Sequence, residues 1–174
     1  MNTKNNKRRR DSVEKIEKAF VELLQSRDIK EITVSEICTM TGLNRSTFYA
    51  NFIDVYDLAE KVMKDLQREF SEVFLDYDYY NERTGAQRMF EHIKENQLFY
   101  RTYFKLEEIC PSDWLPYDPQ RAIDSFGDDK NLKYHIEFFR SGLNAIIKLW
   151  LNGGCLESPF EMAQIIKTEY QGRH

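Results

Sequence analysis

The chain has 174 residues, of which 41% are hydrophobic and 31% are charged, a composition typical of a soluble globular protein with one domain or two small ones. No apolar run is long enough for a membrane-spanning helix, and the polar start lacks the pattern of a secretion signal, so we expect a cytoplasmic protein without membrane contact. The formal net charge of −4 is unevenly distributed, because residues 1–10 contain Lys4, Lys7, Arg8, Arg9 and Arg10 and no acidic residue.

The cysteines and histidines form no recognisable metal-binding or catalytic pattern. Cys38, Cys110 and Cys155 are far apart and odd in number, which fits neither a zinc site nor a disulfide framework. The 3 histidines are also scattered, and the sequence supports no Ser/His/Asp or Cys/His arrangement. We therefore expect reduced, mostly buried thiols, no metal, no cofactor and no enzymatic activity.

Three helices are predicted in the N-terminal part of the chain. In the first, apolar residues recur at three- and four-residue spacing, and the sequence from Thr33 to Glu36 fits a capping box at the start of the second. Gly42 permits the turn that ends the second helix, and Asn44 is a favoured N-cap for the third. The predicted helices cover residues 11–26, 34–41 and 45–52. Two short helices joined by a glycine turn indicate a helix-turn-helix.

The remainder of the chain also has helical periodicity, and no strand pattern competes with it. The last predicted helix starts at Ser158-Pro159-Phe160-Glu161, which supplies a cap, a first-turn proline and a glutamate. The further predicted helices cover residues 54–76, 84–108, 119–126, 132–151 and 159–170. We predict an all-α fold of about nine helices, divided into domains at 1–60 and 61–174.

The run "ITVSEICTMTGLNRSTFYANF" at residues 32–52 carries a family resemblance. Together with its neighbouring helices, it makes residues 10–66 similar to the DNA-binding domain of the TetR family of bacterial transcriptional regulators. The matching positions are Thr33, Val34, Ile37, Gly42, Thr47, Phe48, Tyr49 and Phe52. Three positions depart from the family pattern. Asn44 keeps the cap that Ser or Thr usually provides, Asn51 replaces a frequent His or Tyr, and Val55 stands where Lys is common, which removes one expected phosphate contact.

The C-terminal run "FFRSGLNAIIKLWLNGGCLESPFEMAQII" at 138–166 carries a second resemblance. It is similar to the ligand-binding and dimerisation domain in one group of these regulators from Gram-positive bacteria. That group resembles regulators of dihydroxyacetone kinase operons, some of which activate, whereas repression is the commoner expectation for the family. The resemblance therefore implies that 61–174 binds an effector and forms a dimer.

A third helix lying in the major groove of double-stranded DNA presents its first residues to the base edges. Arg45 is then our first choice for a contact to guanine, with a contact to phosphate alone as the alternative. Phe48 and Phe52 are predicted to face the core, which turns Tyr49 towards the DNA backbone. The predicted DNA-binding residues are Arg45, Ser46, Thr47, Tyr49, Asn44, Thr33, Asn51, Lys7, Arg8, Arg9 and Arg10.

Thr33 and the basic residues at 7–10 also have plainer interpretations. Thr33 either only caps its helix or also presents the helix N-terminus to a phosphate. The basic residues at 7–10 either follow phosphates or enter a minor groove, as basic arms do, or they form a solvated run of charge.

A single helix-turn-helix covers too little DNA to be selective, so we expect a homodimer on a palindromic operator. Apolar faces of the last two helices are predicted to pair with their copies as a four-helix bundle, with Gly142 allowing close approach, and core packing within the chain is the alternative. The predicted dimer residues are Phe139, Leu143, Ile146, Ile147, Trp150, Phe160, Ala163, Ile166 and Tyr170.

A group of aromatic residues either lines an effector pocket or fills the core. Its members are Phe90, Phe99, Tyr103, Trp114 and Tyr134. The effector would be a small molecule or a partner protein, and its binding would change the spacing of the two DNA-reading heads. The alternative function is a helical protein-interaction module or co-regulator with weak or no specific DNA binding.

Overall fold

A computed structural model describes residues 4–74, 85–109 and 130–171 of the chain. Within these ranges it contains eight α-helices, one 3-10 helix at Ile29–Glu31 and no strand, which confirms the predicted all-α fold. The α-helices are α1 (Lys4–Ser26), α2 (Val34–Thr41), α3 (Arg45–Tyr49), α4 (Val55–Phe74), α5 (Gly85–Glu95), α6 (Gln97–Glu107), α7 (Leu132–Asn152) and α8 (Pro159–Gln171). The predicted helix at 119–126 lies outside the described residues.

The chain divides into two compact units. The first contains Met1–Arg68 and Thr102–Ser112, and the second contains Glu69–Arg101 and Asp113–His174. The domain limits expected from the sequence, 1–60 and 61–174, stay a prediction.

The first unit has a core of apolar side chains from its helices. α1 packs against α2 and α3, and α2 packs against α3. Side chains that are fully or almost fully buried there are Ile16, Phe20, Leu24, Ile37, Phe48, Phe52 and Leu58. Burying one such side chain contributes about 1.5–3 kcal/mol, so this core holds the short helices α2 and α3 in place.

The C-terminal end of α1 is closed by residues of α6 that belong to the same unit. Lys105 Nζ donates hydrogen bonds to the carbonyl oxygens of Leu24 at 2.5 Å and Gln25 at 2.8 Å. Gln25 Nε2 in turn donates to the hydroxyl of Thr102 at 3.0 Å. The last carbonyls of a helix have no partner within the helix, so these bonds supply what α1 itself cannot.

Three predicted helix limits are corrected by the structure. α1 begins at Lys4 rather than at residue 11, because its basic start contains good helix formers and neither Gly nor Pro. α3 ends at Tyr49, and residues 50–52 form a turn in which the amide of Phe52 donates to the carbonyl of Phe48 at 3.0 Å. The predicted helix at 84–108 is two helices that meet at Asn96, whose Nδ2 donates to the carbonyl of His92 at 2.9 Å.

In the second unit, α5 packs against α8, and the aromatic rings of Phe90 and Trp150 meet edge to face at 5.4 Å. His92 Nδ1 and the hydroxyl of Tyr100 form a hydrogen bond of 2.7 Å. Burial lowers the pKa of His92 and raises the pKa of Tyr100 above its ordinary value. No helix within the described ranges is long and apolar enough to cross a bilayer, and those ranges contain no group of residues suited to hold a metal ion.

Candidate nucleic-acid interface

The start of α2 is fixed by the predicted capping box. The Thr33 hydroxyl accepts from the amide of Glu36 at 3.3 Å, and the amide of Thr33 donates to the Glu36 carboxylate at 3.1 Å. Arg27 Nη1 donates to the other oxygen of that carboxylate at 2.5 Å. Hydrogen bonds from Arg27 and then from Thr33 lower the pKa of Glu36. The amide end of α2 therefore already faces a carboxylate, which opposes the approach of a phosphate to Thr33.

The turn between α2 and α3 contains the glycine and the cap that the sequence predicts. Gly42 has φ +68°, a left-handed conformation that L side chains rarely adopt. Asn44 Oδ1 accepts from the amide of Thr47 at 2.8 Å, and it also accepts from the hydroxyls of Ser46 and Thr47, both at 2.7 Å. Because both hydroxyl protons are directed to Asn44, Ser46 and Thr47 offer only lone pairs to other partners.

The two neighbouring aromatics of α3 have opposite environments. Phe48 is 0% exposed and its ring lies 5.5 Å from that of Phe52, which is also buried. Tyr49 is 57% exposed and touches Phe48 only edge to face. Adjacent helical positions point about 100° apart, so burial of Phe48 turns Tyr49 outward. The predicted core positions of Phe48 and Phe52 are confirmed, and Arg45 lies exposed at the start of the helix.

The start of α4 is capped by Asp54 and has Val55 in the core. Asp54 Oδ1 accepts from the amides of Tyr56 at 2.8 Å and Asp57 at 2.9 Å, as expected for an N-cap. Val55 is 7% exposed, so its side chain belongs to the core. The missing phosphate contact at Val55 stays a prediction, and the structure adds a packing role for this side chain.

The basic segment at residues 7–10 is the exposed start of α1 rather than an extended arm. The four basic side chains lie on the surface, so contact with phosphates, entry into a minor groove and a solvated run of charge all stay predictions. Arg9 Nε donates to Asn51 Oδ1 at 2.8 Å, and Asn51 Nδ2 donates to the carbonyl of Thr47 at 2.8 Å. The start of α1 and the end of α3 are thereby joined.

These two helices border a cleft of about 460 Å³, which we call the α1–α3 cleft. Its lining residues are Arg8, Arg9, Ser12, Ser46, Thr47, Ala50 and Asn51. The structure thus brings basic residues of α1 together with polar residues of α3 and the turn that follows it, which are far apart in the sequence. Arg10 instead lines a groove beside Glu14, Glu17 and Lys61, and Thr33 lies at the start of α2.

Ser12 is a lining residue that the sequence did not predict, because the predicted first helix begins at residue 11 and leaves Arg8 and Arg9 outside it. Ser12 lies one helical turn after Arg8 and donates its hydroxyl to the carbonyl of Arg8 at 2.9 Å. Extending the helix through the basic segment would have placed Ser12, Arg8 and Arg9 on neighbouring positions of one surface.

The sequence is similar to known transcriptional regulators. A TetR family model described as "Transcriptional regulator C-terminal region" matches residues 120–171. A curated relative, "HTH-type dhaKLM operon transcriptional activator DhaS" of Lactococcus lactis subsp. lactis (strain IL1403), is 30% identical over 123 residues. These matches support the resemblance of the chain to the TetR family. The alignment with that relative spans 69% of this chain and 64% of the relative, so it leaves about a third of the relative uncovered.

A solved structure, "Dihydroxyacetone kinase operon activator DhaS", has the same fold with a TM-score of 0.50. It is 19% identical, and the match covers 93% of this chain and 95% of that structure. At this identity the likeness concerns the fold alone. The all-α arrangement of the chain therefore has a counterpart over nearly its whole length.

The predicted dimer residues divide between core and surface. Leu143, Ile147, Trp150 and Ile166 are buried within the chain, because their stripe on α7 and α8 faces the core of the second unit. Phe139, Ile146 and Ala163 are half-buried, and Phe160 is exposed. The Tyr170 side chain lies outside the described residues. Four members of the predicted interface thus serve the fold of the single chain.

The predicted effector aromatics are also divided. Phe90 and Tyr103 are buried, Phe99 is half-buried and Tyr134 is 64% exposed with Lys133 Nζ 4.9 Å from its ring centre. Trp114 lies outside the described residues. Core packing accounts for Phe90 and Tyr103, while a shared pocket for the set stays a prediction.

Proposed function

We propose that this protein is a TetR-family transcriptional regulator that binds a palindromic DNA operator as a homodimer. The observation that carries the proposal is the orientation of α3, in which Phe48 is buried while Arg45, Ser46 and Tyr49 are exposed on the other side. A capped helix with one polar face outward suits insertion into a major groove about 12 Å wide. The family match and the name of the curated relative support the same function.

The chemistry of the exposed face assigns a role to each side chain. Arg45 has the planar donor pair that fits O6 and N7 of guanine. Ser46 and Thr47 direct their protons to Asn44, so they suit the amino groups of cytosine or adenine rather than phosphate oxygens. Tyr49 has a ring that packs on deoxyribose and a hydroxyl that donates to phosphate.

The deciding experiment measures binding to operator and random duplexes by fluorescence anisotropy. Arg45→Ala should weaken operator binding by about 1–3 kcal/mol and reduce the preference for one base pair. Arg68→Ala is the matched control, because it removes the same charge from the exposed side of α4. Equal losses in both variants would remove Arg45 from base reading. A wild-type protein that binds both duplexes equally would favour the protein-interaction alternative.

The names of the relatives suggest which DNA to use first. The curated relative is named as an activator of the dhaKLM operon, and the solved structure as an activator of a dihydroxyacetone kinase operon. We therefore include the promoter of any dihydroxyacetone kinase genes in the source genome beside the promoter of the chain's own gene. A reporter downstream of the bound promoter decides the sign of regulation: activation predicts lower expression after deletion of the regulator, and repression predicts higher expression.

The dimer contact that we propose uses the exposed apolar stripe of α7. Phe138 and Leu149 are 68% and 75% exposed, and they lie on one face with Gly142 and Ala145, because the spacing is four, three and four residues. A Cβ added to Gly142 meets no atom within 4 Å, which leaves room for a second backbone. The stripe lies one position before the predicted one. Phe160 and Ile165, both exposed on α8, extend the apolar surface of the proposed four-helix bundle.

Sedimentation of a charged variant tests this contact. Leu149→Glu should convert the dimer to a monomer at micromolar concentration, because an unpaired carboxylate would be buried between the copies. Leu98→Glu is the control, since Leu98 is an exposed leucine on α6. A monomeric wild type would contradict the homodimer. A dimeric Leu149→Glu variant would show that the dimer interface does not include Leu149.

Regulation by a small molecule or a partner protein completes the proposal, and its support is the resemblance to the family. An effector must bind the DNA-bound and free states with different affinities if it is to change operator occupancy. Operator affinity measured with and without dihydroxyacetone, and with and without candidate partner proteins, tests this point. If operator affinity is unchanged by each of them, none of the tested compounds and proteins is the effector.

A further inference from the structure

The end of α3 is held by a two-bond relay that starts on α1. Asn51 donates through Nδ2 to the carbonyl of Thr47, in the last turn of α3, and accepts through Oδ1 from Arg9 Nε, both at 2.8 Å. Arg9 and Asn51 are 42 positions apart in the sequence. An amide side chain has both a donor and an acceptor, so a single residue can close this relay.

We propose that Arg9 and Asn51 form a positioning pair that sets the orientation of α3 against α1, and thereby the selectivity of the DNA reader. The inference rests on the proposed DNA-binding function. It assigns a role to Asn51, one of the three departures from the family pattern, that is distinct from direct contact with DNA.

The length of α3 explains why such a pair matters. α3 has five residues, and a helix of this length does not hold its own orientation in water. Asn44 fixes its first turn, and Phe48 fixes its inner side. The Arg9–Asn51 bond restrains the end opposite Asn44. Rotation of the exposed face by a small angle would misalign the bonds to bases but would hardly change the attraction to phosphates.

Arg9 can also contact DNA directly, and the test must separate the two roles. The bond to Asn51 uses one of the five N–H donors of the guanidinium. A phosphate contact contributes equally to all sequences and to the salt dependence, whereas a positioning role contributes to the operator alone. Arg8 is the neighbouring exposed arginine in the α1–α3 cleft. The control variant Arg8→Ala therefore removes the same charge and keeps the bond between Arg9 and Asn51.

Binding to operator and random duplexes is measured for Asn51→Ala, Arg9→Ala, Arg8→Ala and the double variant Arg9→Ala/Asn51→Ala. We expect Asn51→Ala to weaken operator binding by about 5–10-fold, with its random-DNA affinity and salt slope unchanged. Arg9→Ala should show this loss plus the uniform loss seen in Arg8→Ala. The double variant should match Arg9→Ala, because the pair is lost once. Arg9→Lys should restore the salt slope but not the operator preference.

Urea unfolding of the wild type, Asn51→Ala, Arg9→Ala and the double variant without DNA provides an independent readout. Asn51→Ala removes both bonds of the relay, so the double variant should share its transition midpoint. Arg9→Ala keeps the bond from Asn51 to Thr47, so its midpoint should lie between theirs and that of the wild type. Additive midpoint shifts, or an unchanged operator preference in Asn51→Ala, would overturn the positioning role while leaving DNA binding intact. A wild type that does not discriminate operator from random DNA would overturn the proposed function, and this role with it, even where the unfolding midpoints show coupling.

Discussion

The helix-turn-helix at residues 33–57 and the aromatic segment at 85–107 define their helices in different ways. In the first region, each helix starts at a side chain that accepts hydrogen bonds from first-turn amides, namely Thr33, Asn44 and Asp54. In the second region, α5 and α6 meet at Asn96 without Gly or Pro. Side chains that accept from first-turn amides therefore mark the helix starts of the first region, whereas at the junction of the second region Asn96 Nδ2 donates to the carbonyl of His92.

This difference separates what holds a helix in place from what makes it start. Phe48 in the helix-turn-helix and Phe90 in the aromatic segment are both 0% exposed. Both regions therefore depend on burial for stability, while in the first the helix starts are also capped by side chains that accept hydrogen bonds. Substitutions of buried rings and of caps should test the two contributions separately.

The largest expected effect is the loss of a buried ring in either region. Phe48→Ala and Phe90→Ala should each lower the free energy of unfolding by about 3–5 kcal/mol, because each leaves a cavity. Tyr49→Ala, at the exposed neighbouring position, should change it by less than about 1 kcal/mol. Urea unfolding followed by circular dichroism measures all three. A small effect of Phe90→Ala would show that burial is not what holds the aromatic segment.

Loss of a helix cap should lower the free energy of unfolding by less than loss of a buried ring. Two asparagines of the chain allow a matched comparison. Asn44 accepts from the amide of Thr47 at the start of α3, whereas Asn152 is an exposed residue at the end of α7. Asn44→Ala should destabilise the free protein by about 1 kcal/mol, and Asn152→Ala by less than about 0.5 kcal/mol. Asn44→Asp keeps the acceptor and should retain most of the stability. Equal losses at the two sites would contradict a special role for local caps in the helix-turn-helix.

The aromatic segment should respond to pH near neutrality. Burial lowers the pKa of His92, opposed by the carboxylates of Glu95 and Glu69, so the folded chain favours the neutral imidazole that bonds Tyr100. Stability is then fully present above the unfolded pKa, about 6.5, and declines as the pH falls through it towards the folded pKa. His92→Gln should flatten the dependence of unfolding free energy on pH between 7.5 and 5.5. An unchanged slope would assign that dependence to other groups.

The helix-turn-helix should instead respond to acid. The Glu36 pKa is lowered by the hydrogen bond from Arg27 and then by those of Thr33, so its contribution is present above the unfolded pKa and is lost as the pH falls through the folded value. Arg27→Met should raise the Glu36 pKa towards its ordinary value, as measured by NMR titration of the carboxyl carbon. The effect on unfolding should be the smallest of the four, because the pair is solvent-exposed. A Glu36 pKa that does not move in Arg27→Met would contradict this pairing.

The parts of the fold that follow from short-range patterns were predictable from the sequence. The capping box at Thr33, the glycine turn at Gly42 and the cap at Asn44 are all confirmed, because each depends on residues within three or four positions. The start of α8 at Ser158 follows the same rule, with Glu161 bonded back to Ser158 at 2.7 Å. The opposed environments of Phe48 and Tyr49 also follow, since helical geometry alone separates them.

Features that depend on distant residues were not predictable in the same way. The Arg9–Asn51 bond requires knowledge of how α1 crosses α3, and no local pattern indicates it. The predicted dimer stripe on α7 lies one position after the exposed stripe, because several neighbouring positions of that helix are apolar and periodicity alone leaves the inward face ambiguous. The correct face depends on where Phe90 meets Trp150.

The bonds from Lys105 to the end of α1 have a practical consequence for protein engineering. A fragment cut after Arg68 would keep the full set of side chains proposed to touch DNA, yet it would discard Thr102 and Lys105. The carbonyls of Leu24 and Gln25 would then rely on water, and the helix would fray from that side. A miniature version of the reading head therefore needs a graft that restores the missing ammonium group, since truncation alone removes it.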